Sequence, residues 1–308
     1  MGVFSRVVKS TVPLGAAAVT AYVYKDEIAA DGIRGVVAPF RELNALVRHA
    51  SSSWVNSSST FDADFPRGKW NHNWDFRDPM SLINERKYSK ATDEEKEKMI
   101  QEQTATASRT IVLIRHGQYD EETKPHALTP LGREQAILVG KRLAHLAEKK
   151  PIDEVIMSTM TRATETANLI LEQLPSSVAR SSDSCLEEGA PYPPEPSVGH
   201  WRPHAKKFFS EGARIESAFR KYIHRASPRQ KKNSIDVIVC HANVIRYFIC
   251  RALQFPPEGW LRMSLGNSSI TVIVVRPEGS VSIRALGDVG HLPAEKISFS
   301  QNTYHVCY

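Results

Sequence analysis

The run Thr110-Ile111-Val112-Leu113-Ile114-Arg115-His116-Gly117 constrains this chain more than any other stretch. Four consecutive branched aliphatic residues call for cover on both faces, the pattern of a strand inside an α/β sheet. The run then stops at a guanidinium, an imidazole and a glycine. Ligands of open α/β sheets collect beyond the carboxyl ends of strands, so charged groups placed there are positioned to meet one. Glycine lets the backbone turn sharply or approach a ligand closely. Taken singly, Arg115 and His116 also read as ordinary polar strand-end residues. A second apolar run, Ile235 to Cys240, ends the same way, on His241.

Strand and helix patterns alternate from residue 109 onward. Thr129-Pro130 supplies an N-cap with proline at the first helical position. Ala136, Val139, Leu143 and Leu146 then recur at helical spacing, which predicts one buried face. Glu154–Ser158 reads as a strand and Arg162–Leu171 as a helix. A proline-rich loop, Ala190–Pro196, precedes a helix expected around 211–226, and another helix, Asn243–Leu253, follows the strand 235–240. Ile270–Val275 and Val281–Leu286 read as antiparallel edge strands joined at Pro277-Glu278-Gly279. The alternation predicts an α/β fold: a doubly wound, mostly parallel sheet flanked by helices on both faces. No internal repeat is evident.

The 308 residues allow a catalytic domain of about 200 residues, here 109–308, plus an N-terminal extension. Residues 1–25 carry Arg6, Lys9 and Lys25 with no acid before Asp26, and Val12 to Tyr24 is a short apolar stretch. Roughly 20 apolar residues span a bilayer, so this one is brief. A secretory signal, a mitochondrial presequence and a weak signal-anchor compete, and the early cations without acids favour mitochondria. Residues 26–108 read as a linker, with serine runs at 51–53 and 57–59. Within it Trp70-Asn71-His72-Asn73-Trp74-Asp75 sets two tryptophans four apart in polar surroundings. These either pack back on the catalytic domain or serve as an adhesive segment, because exposed Trp pairs anchor interfaces. Thr92 begins a polar helix over 92–103 with acids in its first turn.

Composition excludes several classes. A net charge of +6 without a basic stripe or a zinc-finger or RNP signature argues against nucleic acid. Cys185, Cys240, Cys250 and Cys307 form no C-x-x-C pair, which argues against zinc and against a disulfide framework. Cys240 and Cys250, inside apolar runs, read as buried free thiols.

If the two histidine-ended strands are parallel neighbours, His116 and His241 lie at one sheet edge. Arg162, opening the helix after strand 154–158, and Glu188, in the loop before the prolines, face the same edge. Two imidazoles, two guanidiniums and one carboxylate then converge with no metal-binding cluster. Arginine forks bind phosphate bidentately, so a phosphoryl site is the natural assignment.

In these residues the chain resembles the histidine phosphatase superfamily, the phosphoglycerate-mutase-like fold. The matching stretches are Arg115-His116-Gly117, Leu128 to Ala136, Ser158 to Thr166, Glu187-Glu188-Gly189 and Cys240 to Arg246, and the resemblance covers 109–297. Trp70 to Asp75, Ser81 to Asn84, Ala213 to Glu216 and Arg251 to Arg262 further resemble a mitochondrial branch that acts as serine/threonine protein phosphatases. The resemblance implies an N-terminal membrane anchor, in the outer or inner mitochondrial membrane. It also implies homo-oligomers, dimers assembling to higher order through 70–75, with Trp70, Asn73, Trp74 and Asp75 as contacts. Asn71 stands where that segment usually has Asp. Phe299 to Tyr308 run past the end of the resemblance.

The resemblance implies His116 as the nucleophile that carries the phosphoryl group. Arg115, Arg162 and His241 would bind the phosphoryl oxygens, with Gln118 and Asn243 either contacting phosphate or holding the loops beside it. Glu188 rather than Glu187 would be the acid/base, and no cofactor or metal is implied. Phosphoprotein substrates are expected instead of a phosphoglycerate. Gln118-Tyr119-Asp120-Glu121 replaces the mutase pattern after Arg-His-Gly, and the short interval from Glu188 to His241 suggests an open cleft. A small-molecule phosphatase and an oligomeric scaffold with secondary catalysis are the alternatives.

Overall fold

The computed structural model describes residues 8–14, 17–23, 69–197, 201 and 203–300. The chain divides into two units, Met1–Lys69 and Trp70–Tyr308, each taken by itself. In the first, β1 (Val8–Leu14) and β2 (Ala17–Val23) pair antiparallel, with Val8 opposite Val23. This pair covers most of the stretch read as an anchor, and among the described residues no helix is long and apolar enough to cross a membrane. The serine runs at 51–53 and 57–59 and the tail 301–308 lie outside the described residues.

The second unit is built on a six-stranded sheet. Its strands are β3 (Arg109–Arg115), β4 (Glu154–Ser158), β5 (Ala179–Asp183), β6 (Ser234–Cys240), β7 (Ile270–Val275) and β8 (Val281–Asp288), in the order β5-β4-β6-β3-β7-β8. The first four in that order are mutually parallel, while β7 runs antiparallel to both β3 and β8. Strand alternation divides the aliphatic run of β3 between two cores. Ile111 and Leu113 point to one, beside Ile238, Phe219 and Phe248. Val112 and Ile114 point to the other, beside Val239, Val139, Leu143 and Ile170. The helices that cover them are α4 (Pro130–Ala147) and α5 (Thr161–Leu171) on one face, with α6 (Ala205–Tyr222) and α7 (Ala242–Ala252) on the other. Among the described residues three helices precede the sheet, α1 (Pro79–Leu82), α2 (Glu85–Tyr88) and α3 (Asp93–Gln103). Thr92 opens the last with a capping box, exchanging hydrogen bonds with Glu95.

Three expectations need correction, and one strand went unread. The strand 270–275 is interior, not an edge, because β3 and β8 flank it. The edges are β8 and β5, and β5 escaped notice because Ala-Arg-Ser-Ser-Asp carries no apolar pattern. Helix α6 spans Ala205–Tyr222, beginning and ending earlier than 211–226. Leu146 is 44% exposed, since in the last turns of α4 Ala144 and Ala147 pack on the core instead.

Trp70 to Asp75 belong to this unit. Trp74 is buried, its indole N–H donating to the Gly279 carbonyl at 2.8 Å and its ring 5.9 Å from Phe219. Asp75 pairs with Arg225 at 2.6 Å, both side chains almost fully buried, and Arg225 also donates to the His72 carbonyl at 2.8 Å. Asn71 exchanges hydrogen bonds with Gln254 at 2.8 and 3.0 Å. Asn73 accepts from the Asp78 N–H and donates to Ser81.

Candidate active site

Parallel pairing brings the two histidines together. Arg115, the last residue of β3, lies opposite Cys240, the last of β6. The His116 N–H donates to the Cys240 carbonyl at 3.0 Å, and His241 follows as the N-cap of α7. The two buried rings lie 5.1 Å apart between centroids, tilted by 57°.

The hydrogen bonds fix which ring nitrogen of His116 can react. Its Nδ1 is 2.8 Å from the Gly117 carbonyl, which can only accept, so Nδ1 carries the proton. Nε2 therefore presents a lone pair, and the Arg162 Nε–H donates to it at 3.2 Å. Burial, with Arg115 and Arg162 nearby, holds His116 well below the usual 6.5. Burial also depresses His241, with His116, Arg162 and Arg115 adding to it. Both rings are thus neutral at neutral pH. His241 Nε2 meets the buried Ser158 hydroxyl at 2.9 Å.

Arg115 is lowered by burial, and next by Arg246, to about 10 and remains charged. Its Nε, like His241 Nδ1, is buried without a protein hydrogen-bond partner. A buried polar group left unpaired costs about 1–3 kcal/mol, so a tetrahedral oxyanion suits this edge. Arg162 stacks on Tyr119, 4.6 Å from the ring centroid, and Tyr119 meets His116 edge-on at 5.1 Å.

Glu188 is pushed above 4.5 by burial, although the Gly189 N–H and Arg162, Arg115 and Arg246 oppose that shift. Its loop is clamped from α6 and α7. Arg214 donates to the carbonyls of Cys185, Glu187 and Glu188 at 3.0, 2.7 and 3.1 Å. Glu211 accepts from the Ala190 N–H at 2.6 Å, and Asn243 donates to the Gly189 carbonyl at 3.0 Å. Glu187 turns away to the Thr159 hydroxyl at 2.5 Å.

The loop after His116 is held without slack. A Cβ on Gly117 would fall 2.5 Å from the Gly132 carbonyl oxygen, and one on Gly132 only 1.9 Å from that of Gln118. The Gly117 N–H donates to Thr166 at 3.0 Å, and the Gln118 N–H to buried Gln135 at 2.9 Å. The Gln118 side chain accepts from Thr129 at 2.8 Å, at the start of α4.

Arg115, His116, Arg162, Glu188 and His241 thus share one neighbourhood. Gln118 and Asn243 hold loops beside it, and Trp70, Asn73, Trp74 and Asp75 lie in the packing around Phe219, Ser81 and Arg225. Arg133 is half-exposed and pairs with Glu165 at 3.0 Å. Sequence reasoning gave no role to Tyr119, Ser158, Arg214 or Arg246. Two neutral imidazoles, a guanidinium cradle and a carboxyl with a raised pKa can together receive, hold and release a phosphoryl group.

A phosphoryl-transfer site at the carboxyl edge of a mixed six-stranded sheet defines a class, and the chain belongs to the histidine phosphatase superfamily, matching its branch 1 over residues 111–189 and 196–288. Among curated relatives, the mitochondrial serine/threonine-protein phosphatase Pgam5 of Caenorhabditis elegans is 59% identical over 258 residues, 83% of this chain and 90% of its own length. Mitochondrial PGAM5 of Homo sapiens is 52% identical over 237 residues, 76% of this chain and 81% of its own. A solved phosphoglycerate mutase from Plasmodium falciparum aligns with a TM-score of 0.45 and 32% identity, covering 63% of this chain and all of that one.

Proposed function

We propose that this chain is a mitochondrial serine/threonine protein phosphatase that works through a phosphohistidine on His116. The observation that carries this reading is the lone pair of His116 Nε2, left unprotonated by the Nδ1–H bond to Gly117 and met by the Arg162 Nε–H, which would pass to a phosphoryl oxygen when substrate enters. The relatives' shared name supplies the substrate class.

In the first step His116 Nε2 attacks phosphorus and the bond to the serine or threonine oxygen breaks. Glu188, protonated, gives its proton to that oxygen. Arg115, Arg162 and His241 bind the three oxygens that carry the charge. In the second step Glu188, now a carboxylate, takes a proton from water as the water attacks phosphorus and frees His116. Arg246, close enough to influence both Arg115 and Glu188, adds positive charge to the cradle.

The reading includes membrane anchoring through residues 1–25 and homo-oligomers built through 70–75. Trp74, Asp75 and the Asn73 amide are engaged within the chain's own fold, so assembly would use Trp70, with exposed Phe76 and Met80 nearby.

The deciding experiment compares phosphopeptides with sugar phosphates and traps the intermediate by acid-free mass spectrometry. Phosphate on His116 and higher kcat/KM for phosphopeptides are expected. Label on another residue, or a large preference for sugars, overturns the proposal.

The pH dependence supplies a second test. Glu188 must be protonated to act as acid, and its pKa lies above 4.5, so activity falls as pH rises through that value. Glu188→Gln is expected to lose on the order of 10²–10⁴ in kcat and to flatten that limb. A variant that keeps the limb unchanged assigns the acid to another group.

A further inference from the structure

The C-terminal segment reaches the arginine of the phosphate cradle. Gln135, fully buried, donates through Nε2 to the Lys296 carbonyl at 2.6 Å and the Ser298 hydroxyl at 3.0 Å. The Asn267 N–H donates to the Ser298 carbonyl at 2.9 Å, and the Ser298 hydroxyl donates to Asn267 Oδ1 at 3.1 Å. The backbone is therefore fixed just before Ser300, whose Oγ accepts a hydrogen bond from Arg115 Nη2. Arg115 Nη1 donates to the Leu265 carbonyl at 2.5 Å, while its Nε–H has no protein acceptor. A serine hydroxyl is thus seated on the guanidinium that substrate phosphate needs. Ser300 lies beyond the residues matched to the superfamily. It is only partly buried, and Phe299 beside it is 41% exposed, so the segment is within reach of another enzyme.

We propose that Ser300 is a regulatory phosphorylation site, and that a phosphoryl group on its Oγ becomes a tethered ligand of Arg115 that excludes substrate. This rests on the phosphatase reading and extends it to regulation of the same site. A serine kinase would transfer the γ-phosphoryl group of ATP. The Oγ–phosphorus bond forms, the bond to ADP breaks, and the hydroxyl proton passes to the kinase's base.

The product adds a charge of about −1.5 to −2 and three strong acceptors beside a cation. Arg115, Arg162 and Arg246 outnumber the Glu188 carboxylate there, so the site favours an added anion. Attachment through a short clamped segment gives roughly millimolar effective concentration. That matches or exceeds the usual span of KM, about 1 μM to 1 mM.

The test uses the full chain carrying phosphonomethylalanine, a phosphoserine analogue that resists hydrolysis, at position 300. KM for a phosphopeptide is expected to rise at least about tenfold, with kcat within about twofold. The ³¹P resonance of the phosphonate is expected to titrate at lower pH than in the free amino acid, since a guanidinium stabilises its dianion. A KM within twofold of the unmodified enzyme, or an unshifted titration, overturns the proposal.

Ser300→Gln, similar in reach but uncharged, is expected to raise KM less than about threefold. Inhibition equal to that of the phosphonate would mean obstruction without phosphate recognition, and would also overturn it. The unmodified enzyme separates the two levels of inference. No turnover there defeats the phosphatase reading, whereas turnover with an indifferent phosphonate defeats only this one.

Discussion

Replacing His116 with alanine removes phosphopeptide turnover by on the order of 10⁴-fold or more. In the proposed mechanism the ring is the covalent carrier, and its neighbours offer no substitute. His241 is turned to Ser158, and Cys240, pushed well above its usual pKa by burial, offers no thiolate. The fold should survive, because His116 contributes no packing comparable to the aliphatic residues before it. Single-turnover kinetics with thermal melting decide the matter. An activity loss below about a hundredfold in a folded variant would point to another nucleophile. The segment proposed for assembly, 70–75, does not include this ring, so His116→Ala would also separate a role of that assembly from one of catalysis.

Asp75→Ala is expected to destabilise the Trp70–Tyr308 unit by about 3–5 kcal/mol, by leaving the buried Arg225 guanidinium without its partner. For a unit of this size that lowers Tm by roughly 6–20 °C. Burial by itself would raise the Asp75 pKa, but hydrogen bonds and charge from Arg225 outweigh it and set the value below 3.8. The sign follows from linkage: the contribution is present above pH 3.8 and lost as pH falls toward the folded-state value. Chemical denaturation at neutral and acid pH measures both effects. A variant with unchanged midpoint would show the pair to be dispensable. The same geometry governs experiments on assembly. Deleting 70–75 removes Trp74 from the core along with any contact between subunits, so a loss of activity must be read against a melting curve.

The sequence made the charged site legible because each reactive group stands where an apolar run stops. Arg115, His116 and His241 close two strands whose neighbouring positions follow from that pattern, and Arg162 opens the next helix. Glu188 is the exception to that pattern: its loop before the prolines placed it at the edge, while its acid/base role came from the resemblance. Tyr119 was invisible because its role depends on a loop folding back over Arg162. Arg214 and Arg246 sit on amphipathic helices, where an arginine ordinarily marks the solvent side. Trp74 shows the opposite failure. Polar neighbours made it look like surface, yet the side chains of Asn71, Asn73 and Asp75 are spent on the Asn73 N–H, the Asp78 N–H and Arg225, and the indole turns inward.

The contact between Gly117, Gln118 and Gly132 also bears on how such an enzyme can diversify. With main chain against main chain, the nucleophile has no tolerance for local redesign, and even one methyl group there would dislodge α4. Exposed positions such as 122–125 carry no such main-chain contact and leave room for change. On the proposed reading, a change in what is dephosphorylated would come from rewriting such outer positions while the packed loop beneath the nucleophile stays fixed.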